Sequence, residues 1–177
     1  MVVTGRYRVD MALTSDGRWY GDYDTFYEVE ATSPGLRMVD VPERAPEIIR
    51  VLAQEAAAVL WTSPPASASA LRRAVEAMLD DLRVNKTGLT KQNKRERLKT
   101  HRRIELLSQS RPEVADGLMA VKWVGNEGSH EAKALRVEQV LDIADVFAYA
   151  LRLVYDNRDQ EIKRRIAKIN RKRGSVN

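Results

Sequence analysis

A chain of 177 residues is long enough for one ordinary domain with a hydrophobic core and too short for two of comfortable size. It has no cysteine, which removes disulfides, thiol catalysis and cysteine-ligated zinc and fits a reducing, cytoplasmic setting. The net charge of +5 is unevenly spread: residues 83–103 hold nine Lys or Arg against one acid, residues 157–173 hold eight against two, and the remainder is acidic on balance. Such a chain can gather a polyanion on one part of its surface.

In chain order, residues 1–41 read as a β-rich N-terminal extension. Charges within residues 1–10 stand where a signal peptide needs an apolar run, and no segment has the apolar length of a membrane span, so no membrane partner is expected. Tyr23, Thr25, Tyr27 and Val29 alternate with Asp22, Asp24, Glu28 and Glu30 at the period of a half-buried strand. Ser15, Asp16 and Gly17 form a turn before Arg18, Trp19 and Tyr20, joining this strand to an earlier one over Tyr7 to Leu13. A third strand is predicted from Leu36 to Val41 after Pro34-Gly35, which completes a small meander.

Helices dominate from Pro46 onward. Pro46 sits near the start of a first helix with Ile48, Leu52, Val59 and Leu60 as its apolar stripe, and Pro64-Pro65 end it. A second helix begins at about Ser67 and carries Leu71, Val75, Met78 and Leu82. Residues 85–100 contain Gly88 and few apolar side chains, and so read as a loop or weak helix. A short helix then runs from His101 to Ser108 through Ile104 and Leu107. Ser110 and Glu113 have capping-box spacing with Pro112 in the first turn of the next helix, whose inner face is Val114, Leu118 and Val121. Val137, Leu141, Ala144, Ala148, Leu151 and Tyr155 mark a long amphipathic helix, and Ile162, Ile166 and Ile169 continue a stripe into the basic tail. Four substantial helices joined by short connections give a mainly α fold, an antiparallel up-and-down bundle over residues 42–156, with a basic amphipathic tail over 157–177.

The most informative segment is Lys122 to Glu131, where Gly125 and Gly128 interrupt helical propensity among polar side chains. If the helix continues, Lys122, Asn126 and His130 share one face. The run Gly125-Asn126-Glu127-Gly128-Ser129-His130, preceded by Leu71-Arg72-Arg73-Ala74-Val75-Glu76 one helix pair earlier, resembles the bacterial domain of unknown function 4145, which is grouped with the HEPN superfamily. The resemblance covers about Pro42 to Asp156. It implies an antiparallel, often dimeric helical bundle of the kind found in RNA-cleaving toxins and in antiviral or restriction systems. Active relatives cleave RNA without a metal, through an Arg-Asn-xxx-His motif.

Carried over residue by residue, that motif implies catalytic roles for Asn126 and His130, while Gly125 occupies the arginine position. Lys122, Arg72 or Arg73 then has to supply the cation for a charged phosphorane, although lysine offers a point charge where arginine offers a planar fork. The alternative is structural: His130 bonded to Asn126 or Glu76, and Arg72, Arg73, Glu76 and Glu127 acting as polar clamps between helices. Glu127 and His130 also have half the spacing of a di-metal carboxylate motif. No second copy exists, so neither metal nor cofactor is expected. Lys94, Arg95, Arg97, Lys99, Arg102 and Arg103 in the first basic block are the candidate nucleic-acid contacts, with Lys163, Arg164, Arg165, Lys168, Arg171 and Lys172 in the second; RNA is the favoured ligand. A homodimer or a protein partner on the apolar helix faces and the tail is the competing role.

Overall fold

The computed structural model describes residues 1–9, 12–13, 16–17, 19–20, 25–89, 92–127, 135–156 and 158–171. Within them the fold is mainly helical, as the hydrophobic periodicity predicts. Four strands come first: β1 (Val2–Val9), β2 (Ala12–Leu13), β3 (Trp19–Tyr20) and β4 (Thr25–Ser33). Helices α1 (Glu47–Val59) and α2 (Pro64–Asp81) follow, then strands β5 (Thr87–Leu89) and β6 (Arg95–Arg97). The chain closes with α3 (Thr100–Ser108), α4 (Pro112–Glu127), α5 (Val137–Tyr155) and α6 (Arg158–Arg171).

The N-terminal strands pair in a nested fashion. Antiparallel β1 and β4 run from Val2↔Ser33 to Val9↔Thr25 with a register shift at Thr4/Gly5, and β2 pairs with β3 between them in sequence. Gly17, with φ of +76°, supplies the left-handed residue of the expected turn. The third strand predicted over Leu36 to Val41 is absent: this stretch has no ladder, and Val39 and Val41 are instead buried in the helical core. Their side chains gain more from that apolar surface than their backbones would from a third, solvent-facing pairing.

Two helical hairpins make the body. α1 packs on α2 and α4 packs on α5, while α2 bridges the pairs by touching both α4 and α5; α3 lies on α4. Phe147, Ile49, Leu60, Leu71, Met78, Leu79, Ile104, Leu118 and Leu151 are fully buried where these faces meet, each worth about 1.5–3 kcal/mol relative to exposure. The predicted inner faces of α2 and α4 are observed, with Leu71, Val75, Met78, Val114, Leu118 and Val121 all buried. Those of α1 and α5 are rotated. Ile48 is exposed and Ile49 buried, so α1 presents Ile49, Leu52, Ala53 and Ala56. In α5 Leu141 is exposed, while Val140, Ile143 and Phe147 join Ala144, Ala148 and Leu151.

Helix ends differ from expectation at two places. Pro64 and Pro65 do end α1, but they also form the first turn of α2, where Ser63 Oγ accepts the Ala66 N–H at 3.4 Å. Ser67, expected at the helix start, is fully buried and donates its hydroxyl to the Ala56 carbonyl at 2.8 Å, locking α2 onto α1. The capping box of Ser110 and Glu113 does not form: Ser110 Oγ donates backward to Leu107 O at 3.3 Å, and Glu113 accepts from the Tyr149 hydroxyl of α5 at 3.1 Å. At the far end of α5, the Tyr155 hydroxyl donates to Asp81 of α2 at 2.8 Å; burial and then that carboxylate push the phenol well above its ordinary value.

Candidate nucleic-acid interface

Arg72, Glu76 and Asp80 recur every fourth residue along one face of α2. α2 then stops in a tight left-handed turn: Arg83 takes φ of +55°, its N–H reaches Asp80 O at 3.0 Å, and the Val84 N–H reaches Leu79 O at 3.0 Å. This turn sends the chain back beside the α2 face as the hairpin β5–β6, registered Thr87↔Arg97, Gly88↔Glu96 and Leu89↔Arg95. The segment read from sequence as a loop or weak helix is therefore a short antiparallel ribbon. The Leu98 N–H closes it on Lys86 O at 2.9 Å, and Gly88 lies where a Cβ would meet the Leu98 side chain at 2.8 Å. The chain leaves β6 through Lys99 into α3, and α4 supplies the remaining wall through Lys122.

These elements enclose a cleft of about 500 Å³ lined by Arg72, Glu76, Asp80, Lys86, Arg97, Leu98, Lys99, Thr100, His101, Arg103 and Lys122. Among the described residues six cations face two carboxylates, and both carboxylates are engaged. Thr100 Oγ1 donates to Glu76 at 2.8 Å, while Asp80 accepts from Lys86 at 2.7 Å and from Arg103 at 2.7 Å. Burial raises the Asp80 carboxyl, but the hydrogen bonds from Lys86 and Arg103 and their charges outweigh it and hold it below the usual range. Arg103, with a side chain only 8% exposed, also donates to Val84 O at 3.1 Å. It fastens α3 to the end of α2, and so is a strut of the cleft rather than the free surface cation expected of it. Arg102 likewise pairs with Glu105 at 2.8 Å. Arg95, Arg97 and Lys99 are exposed along the hairpin and its exit.

Lys122, predicted as a catalytic cation, is buried on the α4 wall and lays its Nζ 3.3 Å from the centroid of the Trp123 ring. It lines the cleft together with Arg72 and Glu76. Arg73 does not: it pairs with Glu55 of α1 on another side of α2. α4 remains helical through Gly125 and Asn126 to Glu127, so Lys122 and Asn126 are one helical turn apart. The side chains of Asn126 and Glu127 and the whole of His130 lie outside the described residues, as does Lys172. Gly125 has a packing role. A Cβ there would come within 3.1 Å of both Ala68 O and Arg72 Cβ, so any larger side chain at this motif position has to push α2 away by a few tenths of an ångström.

His101, which the sequence reading passed over, is the histidine that the described residues bring to the cleft. Its Nε2 lies 3.3 Å from Glu105 Oε1, its Nδ1 faces Met119 Sδ at 3.3 Å, and its ring centroid is 5.6 Å from that of Trp123. The Arg102 hydrogen bond, opposed by weaker desolvation and aided by the charges of His101 and Arg102, keeps Glu105 below the ordinary carboxylate range. Helical spacing from Ile104 and Leu107 gave α3, but nothing local could show that α4 packs against His101. Among the described residues no group of carboxylates and histidines is placed to hold a metal, and no helix is long and apolar enough to cross a membrane.

Compared with known proteins, residues 54–172 match the model of a family described as a domain of unknown function (DUF4145). The match takes in α2 to α6, about two thirds of the chain, and so reaches past the Asp156 limit of the resemblance read from motifs. No curated protein and no solved structure matches.

Proposed function

The chain belongs to the DUF4145 family, and from that premise we propose that it is a HEPN-like module that binds RNA in the cleft between α2, the β5–β6 hairpin and α4, acting in the cytoplasm within a prokaryotic defence or toxin-related system. The observation that carries this reading is the charge of the cleft. Among the described residues its six cations meet two carboxylates, each already held by neighbours. A polyphosphate backbone releases counterions on entering such a site, which supplies affinity without any sequence motif. Arg97 and Lys99 on the exposed rim meet the backbone first, with Arg72 and Lys122 deeper.

Binding is favoured over cleavage because Gly125 is pressed against α2 at the position where the active motif carries arginine. A metal-independent endoribonuclease built on Asn126 and His130 would have to take its cation from Lys122 or Arg72 instead. Purified protein incubated with labelled single-stranded RNA in chelator tests both forms at once. Salt-sensitive binding with intact RNA, weakened in Arg97→Glu/Lys99→Glu, is the expected result; chelator-resistant cleavage that disappears in His130→Ala would make the chain an enzyme. Binding that is indifferent to salt and to the rim variant would refute the reading.

A second role, as a non-catalytic scaffold or homodimer, is favoured by one observation. Ile162, Ile166 and Ile169 stand 52%, 50% and 41% exposed along α6, an apolar stripe on a basic helix.

A further inference from the structure

We propose that Trp123 is a stacking platform for an unpaired nucleobase of the RNA strand that occupies the cleft. This inference rests on the RNA-binding reading and adds to it what part of the strand is recognised.

Trp123 is 53% exposed on α4, next in sequence to a lysine that is buried. Single exposed apolar residues are common and need no explanation. This one is held in place from two sides. The Lys122 ammonium lies 3.3 Å from the ring centroid, and the His101 ring is tilted at 59° with its centroid 5.6 Å away. Lys122 and His101 both line the cleft, so the indole that packs against them stands at its edge. A cationic track bordered by a large, accessible aromatic ring is the combination that single-stranded nucleic acid requires. Phosphates run along the charges while a base leaves the strand to lie on the ring. In a duplex both faces of each base are already covered by neighbouring pairs, so a helical RNA can use the track but not the platform. The site therefore selects single strands over duplexes, and it does so by stacking, which tolerates any base.

Lys122 has one part in this arrangement: its ammonium braces the indole against one ring face, so the base stacks on the other. His101 limits the tilt of the ring from the α3 side.

Equilibrium binding of a short single-stranded RNA and of its duplex form to the full chain, to Trp123→Phe and to Trp123→Ala provides the test, with indole fluorescence read in parallel. The expected result is a roughly 5- to 150-fold loss of single-strand affinity in Trp123→Ala, the range for removing one base–aromatic stack, with most of the affinity kept in Trp123→Phe. Duplex binding and the salt dependence of the single strand should be the same in all three. RNA should also quench indole emission in the wild type, and that quenched component should be missing from Trp123→Phe. If the single strand binds Trp123→Ala as tightly as wild type, and binding still falls in Arg97→Glu/Lys99→Glu, the platform is wrong and the cleft stands. If wild type binds no RNA in either form, the reading beneath the platform fails and takes the platform with it.

Discussion

At the scale of single residues, the cleft is held open by buried charge. Arg103 is nearly inaccessible and its chief partner is Asp80, which Lys86 also engages from the hairpin. Replacing Asp80 with Ala strands a buried donor, and the expected loss of stability is about 1–3 kcal/mol. Lys86→Ala, whose own side chain is 62% exposed, should cost well under 1 kcal/mol, as about 0–1 kcal/mol is typical of exposed pairs. The Asp80 carboxyl is depressed in the folded state, so its contribution is fully present above the ordinary Asp value, roughly 3.9, and is lost as pH falls through the lower folded value. Acid titration of unfolding should therefore bring wild type and Asp80→Asn together at the acid end and separate them at neutral pH. A gap that is independent of pH would remove the carboxylate from the argument. Gly125 makes the same point by geometry. In Gly125→Ala the gain in helix propensity, about 0.5–1 kcal/mol, is smaller than the about 1–3 kcal/mol of overpacking against Ala68 and Arg72, so denaturant melts should show a less stable protein. These residues were unevenly legible. Lys122, Arg72 and Glu76 were singled out by helical spacing and motif order, and all three line the cleft. The roles of His101 and Arg103 were not legible, because the partners that define them come from α2 and α4.

At the scale of elements, sequence periodicity served long helices well and short strands poorly. α2 and α4 have apolar residues at most of their inner positions, so those parts of their faces could be read directly. α1 and α5 carry apolar residues all round, and choosing Ile49 over Ile48, or Phe147 over Leu141, needed the neighbouring helices. The hairpin β5–β6 has only three residues per strand, mostly polar, and is stabilised by the turn after α2 and by Lys86 rather than by any pattern of its own. α6 is the opposite case, a clear pattern with no matching burial. Its stripe of Ile162, Ile166 and Ile169 faces solvent, so replacing all three with Gln removes little native contact. The melting temperature of the isolated chain should move by no more than the few degrees expected of a change within about 0.5 kcal/mol at surface positions. A large drop would show that the stripe is buried in the protein as it exists in solution, which would favour the dimer or scaffold role.

At the scale of the molecule, the two basic blocks have different surroundings. The first wraps a cleft, and three of its cations, Lys86, Arg102 and Arg103, are paired with acids that shape the site. The second lies along an exposed helix whose Glu161 reaches Arg44 ahead of α1 at 3.2 Å. Summed charge treats these blocks alike, which is why sequence alone assigned both to nucleic acid; among the described residues, only those of the first are gathered around a concave surface. Salt titration of single-stranded RNA binding separates them most directly, because each phosphate neutralised contributes about 0.7 to the slope of log affinity against log salt for single strands. The account predicts that Arg97→Glu/Lys99→Glu weakens binding and flattens the slope by at least one phosphate's worth, while the equal charge reversal Arg164→Glu/Lys168→Glu on α6 changes both far less. Loss of binding and slope in the α6 variant, with the cleft variant unaffected, would contradict it.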